Sequence, residues 1–172
     1  VLVGTYDTPG SAYDVEIVGS LAYIADGDSG LQIINVADPA NPVLIGGYDT
    51  TGSARNVEII GSLAYVADDS AGLRIVNISD PANPISVGSY DTPGSAVDVE
   101  VVGALAYIAD AASGLQVVNV ADPANPLSVR VFDTLEIATV SNEFSAYDVE
   151  IDGDLIYIAG SHYNETNGSG SG

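Results

Sequence analysis

The chain has 172 residues, which is enough for one domain of ordinary size or for a segment of a larger one. Its 24 acidic residues face only three arginines and no lysine, so the formal net charge is −21. This charge argues against nucleic acid and anionic membranes as partners. The apolar runs are too short for membrane insertion. Because cysteine is absent, disulfides, zinc–thiolate sites and cysteine nucleophiles are excluded.

A repeat of 42 residues organises the sequence. The motif Tyr-Asp-Thr, or Phe-Asp-Thr in the last case, begins at Tyr6, Tyr48, Tyr90 and Phe132. Each repeat contains four short runs rich in Val, Ile, Leu and Tyr, separated by Gly, Ser, Asp and Pro residues. Short strands at even spacing with turn residues between them, and no helical periodicity, predict a propeller blade. Hydrophobic residues make up 47% of the chain, so a folded protein is expected in spite of its charge.

In chain order, the sequence predicts an orphan outer strand, three complete blades and half of a fourth blade with an enlarged loop. The boundaries are 1–8 for the orphan strand, 11–50, 53–92 and 95–134 for the blades, and 145–172 for the half blade. Propellers usually have four to eight blades, so the predicted fold class is an all-β propeller that forms an incomplete ring in this chain. The exposed blade edges are expected to pair with missing propeller sequence or with another chain.

The segment from Leu31 to Pro42, which recurs at 73–84 and 115–126, resembles the LVIVD repeat family. This resemblance implies a β-propeller of a surface or secreted protein, and therefore an extracellular or cell-surface location. It implies no catalytic residues, because the motif consists of a strand, an Asp-Pro turn and a second strand.

Two insertions of eight residues each interrupt the last repeat, and the expected blade topology places both on one loop face. Repeat proteins often bind ligands through such insertions. The alternative is that they are solvated, variable loops. The candidate binding residues of this loop face are Glu136, Asn142, Glu143, Phe144, His162, Tyr163, Asn164 and Glu165.

The loop from Asp26 to Gly30 alternates oxygen-bearing residues with glycine, as calcium loops do. Asp26 and Asp28 are therefore candidate calcium ligands, and no other cofactor is expected. The second carboxylate shifts in the next repeat and is absent from the one after it. This favours the alternative, in which the aspartates bond nearby backbone amides.

One glutamate recurs in the innermost predicted strand, at positions 16, 58, 100 and 150, and Asp or Asn precedes it by two residues. In a ring these side chains would line the channel and could hold a cation. The favoured interpretation is that they bond backbone amides or a tyrosine of the adjoining blade, because a repeated architecture repeats its contacts.

These features predict a non-catalytic scaffold of a secreted or cell-surface protein, which contacts an unknown protein, glycan or subunit through one loop face. One alternative is a self-assembling structural subunit completed by strand exchange. A second is a hydrolase or lyase that uses an acidic funnel, since paired carboxylates suffice for glycosidic chemistry. No motif in the sequence identifies a ligand.

Overall fold

A computed structural model describes residues 1–132, 144–153 and 155–162, and every strand pair in it is antiparallel. The first blade contains β1 (Asp14–Val18), β2 (Leu21–Ala25), β3 (Leu31–Asn35) and β4 (Val43–Tyr48). The second contains β5 (Asn56–Ile60), β6 (Leu63–Ala67), β7 (Leu73–Asn77) and β8 (Ile85–Tyr90). The third contains β9 (Asp98–Val102), β10 (Leu105–Ala109), β11 (Leu115–Asn119) and β12 (Leu127–Phe132). A two-stranded sheet of β13 (Phe144–Asp152) and β14 (Leu155–His162) follows.

The strand order in each complete blade follows the chain, so every blade is an up-and-down meander. Two-residue turns join the first and second strands, and Gly19 begins the turn of the first blade with a φ of 62°. Glycine adopts this left-handed conformation without a steric penalty, and it therefore suits a tight hairpin. The predicted all-β propeller of 42-residue, four-stranded blades is confirmed.

The hydrophobic core lies between neighbouring blades, because each sheet packs one face against the next sheet. Tyr23, Leu31 and Ile33 of the first blade share a buried cluster with Val57 and Ile59 of the second. The same arrangement recurs between the second and third blades and between the third blade and the last hairpin. This packing explains why the strands are apolar on nearly both faces.

The ring is not closed in the part of the chain that the structure describes. The innermost strands are neighbours in the order β1, β5, β9 and β13. No helix capable of crossing a membrane occurs among the described residues.

The predicted outer strand over residues 1–8 is not a strand in the structure. A strand requires a hydrogen-bonded neighbour, and the described residues provide none for this segment. Its position nevertheless matches a fourth strand. A Cβ atom on Gly4 would lie 2.2 Å from the carbonyl oxygen of Pro39, and one on Gly46 of β4 would lie 2.4 Å from that of Pro81 in the next blade.

The last hairpin is longer than its counterparts. β13 has nine residues and β14 has eight, whereas β9 and β10 have five each. The additional residues extend the hairpin beyond a bulge at Tyr147, where Phe144 pairs with His162 and Ser145 pairs with Ser161. The ends of the two insertions therefore lie side by side at one end of the blade.

Candidate functional site

An open cavity of about 390 Å³ lies along the inner strands of the three blades and along β13 of the last hairpin. We call it the channel. Each inner strand contributes two polar side chains to its lining. These residues are Asp14, Glu16, Asn56, Glu58, Asp98, Glu100, Asp148 and Glu150.

The acids of the first blade bond the backbone of the second blade. The Oδ2 atom of Asp14 accepts a hydrogen bond of 3.0 Å from the N–H of Val57, and Glu16 accepts one from the N–H of Ile59. These N–H groups belong to the inner strand β5, whose channel-facing edge has no strand partner. The carboxylates therefore satisfy backbone donors that would otherwise depend on water.

The same pattern joins the second and third blades. The Oδ1 atom of Asn56 accepts a hydrogen bond of 3.3 Å from the N–H of Val99, and Glu58 accepts one from the N–H of Val101. The favoured interpretation was that the inner-strand acids bond backbone amides or a tyrosine of the adjoining blade, and these bonds confirm it in its backbone-amide form.

The pattern continues to the last hairpin. Asp98 accepts a hydrogen bond of 2.8 Å from the N–H of Val149, and Glu100 accepts one from the N–H of Ile151. Asp98 and Val149 are 51 residues apart, whereas the corresponding pairs of the earlier blades are 43 apart. The difference equals the eight-residue insertion before β13, which therefore leaves this contact in place.

Burial raises the pKa values of acidic side chains in the channel. Desolvation raises the pKa of Glu58 to about 7, and the charges of Glu100 and Glu16 act in the same direction. Desolvation also raises the pKa of Asp98 to about 6, with a further contribution from a side-chain hydrogen bond to Asp148. One carboxyl oxygen of Glu58 and one of Glu100 are buried without a hydrogen-bond partner among the described residues. The channel therefore disfavours a full set of negative charges at neutral pH.

A second repeated carboxylate fixes the connection that enters each blade. Asp26 is buried, and its two oxygens accept hydrogen bonds from the hydroxyl of Thr8 at 2.6 Å and the N–H of Gly10 at 2.8 Å. Asp68 and Asp110 make the same pair of bonds in the next two blades. We call this contact the Asp–Thr latch. The loop between the second and third strands of the blade meets the incoming chain there.

The latch bears on the predicted calcium site. Both carboxyl oxygens of Asp26 already accept hydrogen bonds from the chain, and Asp28 is exposed. Within the described residues, no group of three or more Asp, Glu or His side chains could hold a metal ion. Calcium binding by Asp26 and Asp28 stays a prediction, and the hydrogen bonds favour the structural alternative.

The recurrence of these contacts in three blades of equal length agrees with comparison to known families. The family model described as LVIVD repeat matches residues 9–50, 51–92 and 93–134. The chain belongs to the LVIVD repeat family. No curated protein sequence matches it.

Among solved structures, this LVIVD repeat chain is similar to two computationally designed proteins. The designed Ika4 protein has a TM-score of 0.67 and 7% sequence identity, and the alignment covers 95% of each chain. The designed Ika8 protein has a TM-score of 0.64 and 6% identity, over 87% of this chain and 42% of that one. At such low identity the likeness concerns the fold alone.

The binding residues predicted for the loop face of the LVIVD repeat chain are only partly within the described structure. Phe144 begins β13 and His162 ends β14, and the two residues pair across the hairpin. The structure therefore pairs one described residue of each predicted segment. The remaining candidates lie outside the described residues, namely Glu136, Asn142, Glu143, Tyr163, Asn164 and Glu165.

One polar cluster was not predicted from the sequence. The guanidinium of Arg55 lies 2.7 Å from Asp69 and 4.5 Å from the ring centre of Tyr13, so it joins the first and second blades. Its hydrogen bond to Asp69 raises the pKa of Arg55, and the charge of Asp28 contributes. The only available sequence signal was the scarcity of cations, because Arg55 replaces a residue that is not basic in the other repeats.

Proposed function

We propose that this chain is a non-catalytic propeller scaffold of a secreted or cell-surface protein, which contacts a protein or glycan through the loop face at the end of β13 and β14. The channel contacts are the observation that carries this proposal. Six of its polar side chains, in three successive blades, bond the backbone of the next blade. A group with this structural role recurs wherever the blade recurs, which accounts for the periodic acids without a catalytic function.

The loop face supports the second part of the proposal. It is the place where the last hairpin departs from the repeat, since β13 and β14 are extended and their ends are paired. Binding residues are commonly placed on loops that a rigid scaffold positions. The three four-stranded blades provide such a scaffold.

One experiment separates this scaffold from an acidic-funnel enzyme. Purified chain is assayed with chromogenic glycosides and with an acidic polysaccharide substrate for lyase activity, beside the variant Glu58→Gln. The expected result is no turnover by either protein. If the native chain turns over a substrate and Glu58→Gln abolishes this activity, the proposal of a non-catalytic scaffold is contradicted.

A second experiment tests the loop face. A variant in which residues 135–144 are replaced by Pro-Gly, the connection found in the third repeat, is compared with the native chain on an array of cell-surface glycans. The expected result is glycan binding that the variant loses while its melting temperature is kept. Equal binding by the two proteins would place the binding site elsewhere.

A further inference from the structure

The two ends of the blade series carry complementary halves of the same contact. At every described junction, one blade supplies two inner-strand polar side chains and a tyrosine, and the next blade supplies two backbone N–H groups and two apolar side chains. Tyr23, for example, belongs to the buried cluster of Val57 and Ile59, whose N–H groups bond Asp14 and Glu16.

On the first blade, the supplying half of this contact is used at the junction with the second blade, and the receiving half is exposed. Val15 and Ile17 of β1 occupy the positions of Val57 and Ile59, but they are 55% and 57% exposed, whereas Val57 and Ile59 are 3% and 8% exposed. An open groove of about 290 Å³ with a mainly apolar lining lies beside Val15. We call the surface formed by Val15, Ile17 and this groove the β1 face.

On the last hairpin, the receiving half is used at the junction with the third blade, and the supplying half is exposed. Asp148 and Glu150 occupy the positions of Asp98 and Glu100, and both are exposed. Tyr157 pairs with Glu150 across the hairpin, as Tyr23 pairs with Glu16, but it is 52% exposed whereas Tyr23 is 5% exposed. We call the surface formed by Asp148, Glu150 and Tyr157 the β13 face.

We propose that the β13 face of one copy of this chain docks on the β1 face of a second copy. Asp148 and Glu150 accept hydrogen bonds from the N–H groups of Val15 and Ile17 of the second copy, and Tyr157 packs on those two side chains. Each bond and contact of this junction has a counterpart at all three internal junctions. The last hairpin therefore carries the two hydrogen-bond acceptors and the tyrosine for which the β1 face has no partner within the described chain.

This junction stacks one blade on another, and it differs from strand exchange because no strand joins a foreign sheet. The two surfaces are different, so the association is head-to-tail. Such contacts close into a ring where the rotation allows it and otherwise form an open chain of subunits. The proposal does not depend on the loop face, because the docking residues lie in the blade walls and the channel.

The test uses two variants that each block one face. Ile17→Asp blocks the β1 face, and Tyr157→Asp blocks the β13 face. Both side chains are exposed, so circular dichroism should show native folding in each variant. Ile85→Asp is the matched control, since Ile85 is equally exposed but lies on the outer strand β8.

Association is measured by sedimentation velocity over a hundredfold range of concentration in 0.5 M NaCl, because salt screens the repulsion between chains of charge −21. The native chain and the control are expected to associate, and each blocking variant alone should remain monomeric. An equimolar mixture of the two variants should form a one-to-one complex through the remaining pair of intact faces.

Three results would overturn the proposal. The native chain could be monomeric throughout the range, or one blocking variant could associate as well as the native chain, which would indicate contact between two identical faces. A mixture that contains only monomers would show that the β1 and β13 faces are not complementary.

Discussion

The carboxylate of Asp98 accepts a hydrogen bond of 2.8 Å from the backbone N–H of Val149, across an insertion that lengthens the chain between them by eight residues. The contact between blades is thus the same as at the earlier junctions, although the loop beside it is longer. The channel side chains hold neighbouring blades together, and this role leads to measurable consequences.

Lowering the pH from 8 to 5 is expected to stabilise the protein. Glu58 and Asp98 have pKa values raised to about 7 and about 6, so the folded state binds protons more tightly than the unfolded chain. Their contribution to stability is full below the unfolded pKa values of about 4 and is lost as the pH rises through 6 and 7. Urea unfolding at a series of pH values measures the change. Equal or greater stability at pH 8 would contradict the expectation.

Glu58→Gln should remove part of this pH dependence. The amide oxygen can still accept the hydrogen bond from Val101, but the side chain has no charge to desolvate. We expect the variant to be more stable than the native chain at pH 8 by about 1–2 kcal/mol, after allowance for water in the open channel. At pH 4.5 the two proteins should be equally stable.

Asn56→Asp is expected to destabilise the protein at pH 8. Asn56 is the one uncharged member of its row in the channel, between Asp14 and Asp98. A carboxylate there adds like-charge repulsion of about 1 kcal/mol, and the loss should be smaller at pH 5. Thermal unfolding at both pH values tests this. Asn119→Asp, at an exposed strand end, is the control and should change stability by less than about 0.5 kcal/mol.

Thr92→Val should weaken the third Asp–Thr latch. The variant keeps the shape of the side chain but removes the hydroxyl that donates to the buried carboxylate of Asp110 at 2.6 Å. Leaving that oxygen without its donor should cost about 1–3 kcal/mol in the free energy of unfolding. Thr5→Val, at an exposed position, is the control. A loss no greater than that of the control would show that the hydroxyl contributes nothing.

Ala111→Gly is expected to stabilise the protein. Ala111 has a φ of 46°, and the equivalent residue of the first blade is Gly27 with a φ of 58°. Glycine removes a strain of about 1–2 kcal/mol and costs about 0.5–1 kcal/mol in unfolded-state entropy, so the net gain should be a few tenths to about 1 kcal/mol. Ala112→Gly lacks the strain and should be neutral or destabilising. A lower melting temperature for Ala111→Gly would refute this reasoning.

The sequence was sufficient to predict the blades but not the way they attach. Period, strand number and turn positions follow from residues whose effects are local, such as Gly19 and the Asp-Pro turns. The bonds from Asp14 to Val57 and from Glu16 to Ile59 join residues 43 positions apart, so a local pattern could not specify them. The periodic acids indicated the location of these bonds, but the favoured interpretation left two kinds of partner open, backbone amides or a tyrosine of the adjoining blade.

The Asp–Thr latch was missed for a related reason. Asp26 follows a strand and precedes Gly and Ser, which is equally typical of a calcium loop and of a turn. Its real partners, Thr8 and Gly10, belong to the connection that enters the blade. The recurrence of Thr and Gly at the same distance before every such aspartate was the available signal.

Two distances set the angle between neighbouring blades: the distance between their inner strands and the distance between their outer parts. Near the axis, the inner strands of neighbouring blades are separated by the length of an Asp or Glu side chain that bonds the next backbone. At the rim, Gly46 lets the next blade approach so closely that a Cβ atom would lie 2.4 Å from the carbonyl oxygen of Pro81, and Gly88 does the same at Pro123. A methyl group at the rim would widen each wedge and reduce the number of blades that fit in a full circle. The glycine of the fourth strand therefore helps to set the angle between neighbouring blades, and with it the number of blades that a full circle would hold.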